Sequence, residues 1–224
     1  MLPRSRRGPQ PRDLRRTING ILWILRTGAP WRDLPTCYGS WQTAASRFYR
    51  WRAAGVWDAI LATRQQQGDA AGQLDWSAHF VDGTVIRAHQ HAAGARRVGG
   101  KQGAQALGRS QGGFSTKLHL RAERGSKPIT FLLTAGQRHE QSVFEALVDH
   151  GGVKRAGRGW PRLRPKRMVG DMGYSSGKAR RMLRRRHVTP VIPTKSTERR
   201  QPRFDRELYH ERTLLKIPRR AAIQ

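Results

Sequence analysis

Leu14, Ile18, Ile21, Leu22 and Leu25 recur at the spacing of one helical face. Asp13 stands where such a helix needs an N-cap, and Gly28 stands where it must stop. Pro30 and Pro35 then hold a turn. Ser40 is placed to cap a second helix, in which Trp41, Ala45, Phe48 and Trp51 share one face. Gln42, Thr43, Ser46, Arg47 and Arg50 take the opposite face. After Gly55, residues 56–64 predict a third short helix. The aromatic stripe is assigned to the core. The Arg47 and Arg50 face is either solvated or laid against DNA in a helix-turn-helix-like module.

Residues 65–73, QQQGDAAGQ, are small and polar and read as a linker. The pattern then changes. Phe80, Val81, Val85 and Ile86 predict a strand over 79–87, and 92–113 form a Gly-rich basic loop. Two strands are expected at 115–122 and 129–133 around a turn at 123–128. A helix follows over 140–150, with Val143, Phe144, Leu147 and Val148 on one side. A short strand at 166–170, a basic helix at 175–186 and a strand at 189–192 complete the pattern. Strands first, then alternating strands and helices, predict a mixed α/β layer fold behind a small helical domain.

Charge adds a partner to this picture. The chain carries 44 Lys and Arg against 15 Asp and Glu in 224 residues, a formal net charge of +29. Self-repulsion on that scale disfavours a compact state, so a polyanion, nucleic acid by default, is expected to bind. Arg suits bidentate phosphate contacts, although a GC-rich genome enriches it too, and charge alone also fits a ribosome-associated basic protein. The single cysteine, Cys37, excludes an intramolecular disulfide and a cysteine-rich metal site. The longest apolar run, 21–25, is too short for a membrane span and weak as a signal segment, so a cytoplasmic, nucleoid-associated protein is expected.

Scarcity gives the acidic residues weight. Asp82 and Asp171 each sit at or just past the end of an apolar run, and a Gly-containing turn follows each. Hard divalent cations need oxygen ligands, and two of them about 4 Å apart can serve both oxygens of a phosphoryl transfer. Two strand-end aspartates joined by a sheet would form that clamp. Strand-end aspartates are also ordinary turn residues, and spacing alone leaves both readings standing. Gly100-Lys101 is followed by Gln102, so the loop fails the nucleotide P-loop pattern. His89 and His91 alternate on a strand and face opposite ways, which argues against a shared metal. No zinc spacing, no Ser/His/Asp nucleophile and no RNP-type aromatic sequence stands out.

Long ordered motifs carry a family likeness. Asn19-Gly20-Ile21-Leu22-Trp23, with Arg26-Thr27-Gly28-Ala29-Pro30-Trp31-Arg32-Asp33-Leu34-Pro35, resembles the N-terminal region of bacterial insertion-sequence transposases of family five, DDE-type members of the IS4-like superfamily. Ser40-Trp41-Gln42-Thr43, Arg47-Phe48 and Trp51-Arg52 continue it. The stretch from Asp82-Gly83-Thr84 to His91 resembles the first catalytic motif of that family. The blocks from Ala106 to His119, from Gly136 to Glu140 and from Gly170 to Ser176 resemble those that follow, so the likeness covers roughly residues 13–212.

The resemblance implies an RNase H-like mixed-sheet core, with Mg²⁺ or Mn²⁺ held by a DDE triad. It implies cleavage and transfer of double-stranded DNA at insertion-sequence ends and target, with a homo-oligomer possible at synapsis. Asp82 becomes the first carboxylate and Asp171 the second, both metal-binding. The domain organisation becomes a helical DNA-binding domain with a basic arm at 1–64, a linker at 65–77, an RNase H-like DDE domain at 78–212 and an aberrant tail at 213–224. A leading helix usual in the family is not evident before Asp13. Besides Arg47 and Arg50, the residues expected to bracket DNA are Arg109, Lys117, His119 and the basic helix with Arg180 and Arg184. Tyr209 and Arg212 match the last signature. Met172 replaces the usual Lys of the second motif, Lys216 stands where the third carboxylate is expected, and Ile223 replaces the final Lys. Pro218 would interrupt the helix expected there. A copy impaired in cutting, frameshifted or truncated after Arg212, or a DNA-binding remnant without catalysis, is the expectation.

Overall fold

The computed structural model describes residues 13–88, 106–110, 112–198 and 204–212. The basic arm, His89, His91, most of the Gly-rich loop and the tail with Lys216, Pro218 and Ile223 lie outside the described residues. The chain divides into two compact units, one up to Arg64 and one from Gln65.

The first unit is helical. Helix α1 (Leu14–Thr27) starts at Asp13, whose carboxylate accepts from Arg16 N at 2.8 Å. It ends at Gly28, whose φ of 71° is the left-handed conformation that a Cβ disfavours. Arg16 crosses to donate to the carbonyls of Cys37 at 2.6 Å and Thr36 at 2.9 Å. Helix α2 (Trp41–Ala53) follows Ser40, whose hydroxyl turns to Gln42 Oε1 at 2.6 Å instead of capping. Ile21, Ile24, Leu34, Ala44, Trp51 and Val56 form the core, with Leu14 and Ile18 packed against it. The predicted α1 face is corrected in part: Leu22 and Leu25 are exposed, and the buried side of α1 is Thr17, Gly20, Ile21 and Ile24. Around it Trp31, Phe48 and Trp57 pack ring against ring, with centroids 5.4 Å and 5.9 Å apart.

Helix α3 (Val56–Ala70) runs past the predicted end at residue 64. The expected linker is therefore corrected. Residues 65–70 are helical, and Gln65 Nε2 donates to the carbonyls of Pro128 and Ile129, both at 2.9 Å. Leu74 and Trp76 are buried. Gln and Ala are good helix formers, and Gln66 and Asp69 also bond to the Arg155 carbonyl and Trp76 Nε1, so a polar, small-residue stretch fits a packed helix as well as a linker.

The second unit is built on one six-stranded sheet: β1 (Ala78–Arg87), β2 (Gly108–Ser110), β3 (Gly113–Glu123), β4 (Pro128–Ala135), β5 (Arg167–Gly170) and β6 (Thr189–Val191). Its order is β2-β3-β1-β5-β6, and β4 also pairs with β3. β3 is antiparallel to β1 and β4, whereas β1, β5 and β6 run parallel. This is the expected mixed sheet. β2 and the start of β3 occupy the end of the predicted Gly-rich loop. Helices α4 (Gln141–Asp149) and α5 (Gly177–Arg185) cover one face, where Val81, Phe144, Leu147, Met168 and Leu183 are buried together. The short helix α6 (Arg206–His210) lies on the other face, where Phe80, Ala122, Val169, Val191 and Leu208 form a second core.

A buried arginine ties the sheet to its covering layer. Arg121 donates to the carbonyls of Val148 at 2.8 Å and His150 at 3.1 Å, to that of Leu163, and to His79 Nδ1 at 3.1 Å. Burial and the Arg121 charge hold His79 neutral, with its pKa lowered to about 2.

Candidate active site

Parallel pairing of β1 with β5 runs from Ala78↔Arg167 to Val81↔Gly170. Asp82 and Asp171 are the next residue on each strand. Neighbouring strands lie about 4.8 Å apart, so the two aspartate-bearing segments run side by side. Side chains alternate across a sheet. Phe80 and Val169 face the α6-side core. Alternation turns Asp82, two residues on in β1, to that side, and Asp171 lies just past the end of β5. Asp171 keeps extended backbone, with φ −79° and ψ −179°. It ends its strand as expected, with Oδ1 accepting from Gly173 N at 2.9 Å as Met172–Tyr174 turn into a 3-10 helix. β1 matches the strand expected over 79–87, so Asp82 lies inside it and not at its end: β3 pairs with it as far as Arg87↔Ser115, and only the β5 partner stops at Val81.

Glu140 is a carboxylate of this site that the sequence reading passed over. It sits at the N-cap of α4, and its Oε1 lies 2.7 Å from Lys117 Nζ, with both side chains about 15% exposed. A Cβ on Gly83 would meet Glu140 Oε1 at 3.0 Å and Lys117 Cε at 3.2 Å. A Cβ on Gly173 would collide with Glu140 Oε2. The glycines beside the two aspartates thus leave room for this carboxylate. The available signal was its rarity: an acid at the start of a predicted helix, within one of the family-like blocks.

Charge accumulates here. Burial, then the Glu140 charge, pushes the Asp171 carboxyl up, opposed by Arg212, whose Nη1 lies 3.7 Å from Asp171 Oδ2. The buried Tyr174 hydroxyl is pushed up by burial and by Glu140, Asp171 and Asp82. Three carboxylates therefore act on one hydroxyl. Among the described residues, no group of three or more His, Cys, Asp or Glu side chains is arranged to hold a metal. The Asp82 and Asp171 pair is the smaller oxygen set that a Mg²⁺-like ion takes when phosphates and water complete its shell. By donor chemistry, the residues present fit such an ion.

The remaining expected residues divide. Arg212 stands beside Asp171 and stacks at 5.2 Å over the ring of Tyr209, which packs against the α6-side core. Neighbouring Glu211 is held by Arg124 through bonds of 2.7 Å and 2.6 Å. Arg50, Arg109 and Arg184 are exposed, and Met172 is 52% exposed. Arg47 is half-buried, 3.5 Å from Thr17 Oγ1.

His119 and Arg180 are corrected as DNA contacts, because both are buried. Strand alternation turns Lys117, His119 and Arg121 toward the face that α4 covers. His119 Nε2 lies 2.9 Å from Thr134 Oγ1, and burial and Lys117 lower its pKa to about 4. Arg180 shares the inward side of α5 with Ala179 and Leu183, and it donates to Ser175 Oγ at 2.7 Å, Pro193 O at 2.9 Å and Glu198 Oε2 at 3.0 Å. Lys117 is taken by Glu140.

Comparison with known proteins gives this geometry a context. A family model described as "Transposase DDE domain" matches residues 77–223, and one described as "Putative transposase of IS4/5 family" matches residues 1–61. The chain is 41% identical over 97 residues to the protein y4sN of Sinorhizobium fredii, covering 43% of this chain and 72% of that one. It is 42% identical over 93 residues to a 16.2 kDa protein of insertion element IS402 of Burkholderia cepacia, covering 38% and 63%. It thus spans less than two thirds of this second relative. A solved structure, the Mos1 strand transfer complex, aligns with 86% of the chain and 62% of its own at 10% identity and a TM-score of 0.32. Since the first of these models spans the whole sheet with both aspartates, the chain belongs to the transposase DDE domain family.

Proposed function

We propose that this chain binds the terminal inverted repeats of an insertion sequence and target DNA as a divalent-metal-dependent transposase, and that this copy cuts and joins DNA poorly or not at all. The observation that carries the reading is the adjacency of Asp82 and Asp171, one residue beyond the Val81↔Gly170 pair, in a chain of charge +29. Bound Mg²⁺ or Mn²⁺ would activate the attacking oxygen and stabilise the leaving one. Asp82 and Asp171 offer the ligand oxygens. Glu140 adds negative charge behind them, and Arg212 is placed to meet a phosphate arriving at Asp171. Exposed Arg50, Arg109 and Arg184 contribute phosphate contacts elsewhere, and pairing of two DNA ends in a homo-oligomer belongs to the same reading.

Impairment rests on Lys216, which stands at the third-carboxylate position of the family signature. Losing that carboxylate removes a ligand and a charge, and an ammonium in its place repels the cations. The test uses purified chain and DNA carrying the element's ends. The chain retards that DNA in a gel with salt-sensitive affinity, and gives few or no Mg²⁺-dependent nicks. Efficient nicking that vanishes with Asp82→Ala or Asp171→Ala would remove the impairment and keep the enzyme. Failure to bind DNA at low salt would sink the whole reading.

A further inference from the structure

The loop of residues 154–161 has a fixed base and an unused tip. Val153 and Arg162 form an isolated antiparallel bridge, with N–H···O bonds of 2.9 Å and 2.8 Å, that closes the loop ahead of β5. Val153 is buried. Arg162 lies over the Trp76 ring at 4.7 Å and meets Asp69 Oδ1 at 3.2 Å. Gln66 Nε2 donates to the Arg155 carbonyl at 3.0 Å. From this pinned base projects Trp160, 90% exposed, against 56% for the next most exposed large hydrophobic among the described residues. Lys154, Arg155, Arg158 and Arg164 around it are also exposed, and no acidic residue occurs between Asp149 and Asp171.

An indole left in water contributes nothing to the core, so the fold does not explain Trp160. Guanidinium and ammonium groups beside an exposed aromatic suit DNA: the cations meet phosphates, and the indole meets a sugar or base edge in a groove. A second copy of this chain is a poor occupant, because two patches of the same positive sign repel. The loop leads into the start of β5, whereas Asp171 follows its end, so the patch lies at the far end of that strand from the two aspartates.

We infer that loop 154–161 is a duplex-DNA contact of its own, with Arg158 on phosphate and Trp160 in a groove, holding DNA away from the bond to be cut. It rests on the DNA-binding reading above and assigns a surface to it. The experiment is fluorescence anisotropy of a labelled duplex with the full chain, Trp160→Ala and Arg158→Ala, at several salt concentrations. Circular dichroism melts check that the variants fold, and sedimentation of the DNA-free chain checks self-association. Trp160→Ala is expected to weaken binding about fivefold or more with an unchanged salt slope. Arg158→Ala is expected to reduce the magnitude of the log–log salt slope by about one. Both variants are expected to keep the Mn²⁺ affinity of the parent chain. The inference is overturned if Trp160→Ala binds DNA like the parent, or if it binds more weakly only because copies no longer associate. If the parent chain does not bind duplex at all, the broader function fails instead.

Discussion

Glu140 and Lys117 carry opposite charges 2.7 Å apart, and Glu140 reaches Gly173 beside Asp171, so on the proposed metal-binding reading their replacements are expected to change cation affinity in opposite directions. Glu140→Gln keeps the shape and removes a negative charge, and Mn²⁺ binding by calorimetry weakens about tenfold. Lys117→Met unmasks that charge, and Mn²⁺ binds more tightly by a comparable factor. Weakening in both variants would mean that the pair only supports the fold. His119 sets a second expectation. Its pKa is lowered from 6.5 to about 4, so as acidity rises the unfolded chain takes up this proton first. The associated stability is present above pH 6.5 and is lost as pH falls toward about 4. Melting temperature therefore falls across that window, and His119→Gln flattens part of the fall. His79 acts in the same direction, from 6.5 to about 2.

At the scale of elements, Arg121 joins β3 to the end of α4 and to the segment before β5. Arg121→Met leaves the carbonyls of Val148, His150 and Leu163 without their donor. It is expected to destabilise the second unit by about 3 kcal/mol or more in urea melts. Arg124→Ala, removing an exposed partner of Glu211, is expected to leave the urea midpoint near that of the parent chain. The elements most legible beforehand were those whose period was unambiguous, such as α1, α4 and the start of β1. Residues 65–70 read as a linker because their polar side chains find partners far along the chain: Gln65 on the carbonyls of Pro128 and Ile129, Gln66 on that of Arg155, and Asp69 on Trp76 Nε1. Sequence marks polarity, but which partner satisfies it is a tertiary fact.

Over the whole molecule, the +29 charge sets the expectation for the proposed DNA binding. Each phosphate neutralised releases counterions, so affinity for duplex is expected to fall by about 10³-fold or more between about 50 and 200 mM salt in anisotropy titrations. A salt-insensitive affinity would contradict a mainly phosphate-borne contact. The sequence by itself determined the order of strands and helices, the net positive charge and the two aspartates that follow apolar runs, because periodicity, charge and motif are local properties. Only the tertiary structure decided that Asp82 and Asp171 each follow one member of the Val81↔Gly170 pair, that Glu140 reaches the glycines beside them, and that His119 and Arg180 are interior. Those outcomes depend on strand register and on which layer covers which face, and both are fixed by contacts between residues far apart along the chain.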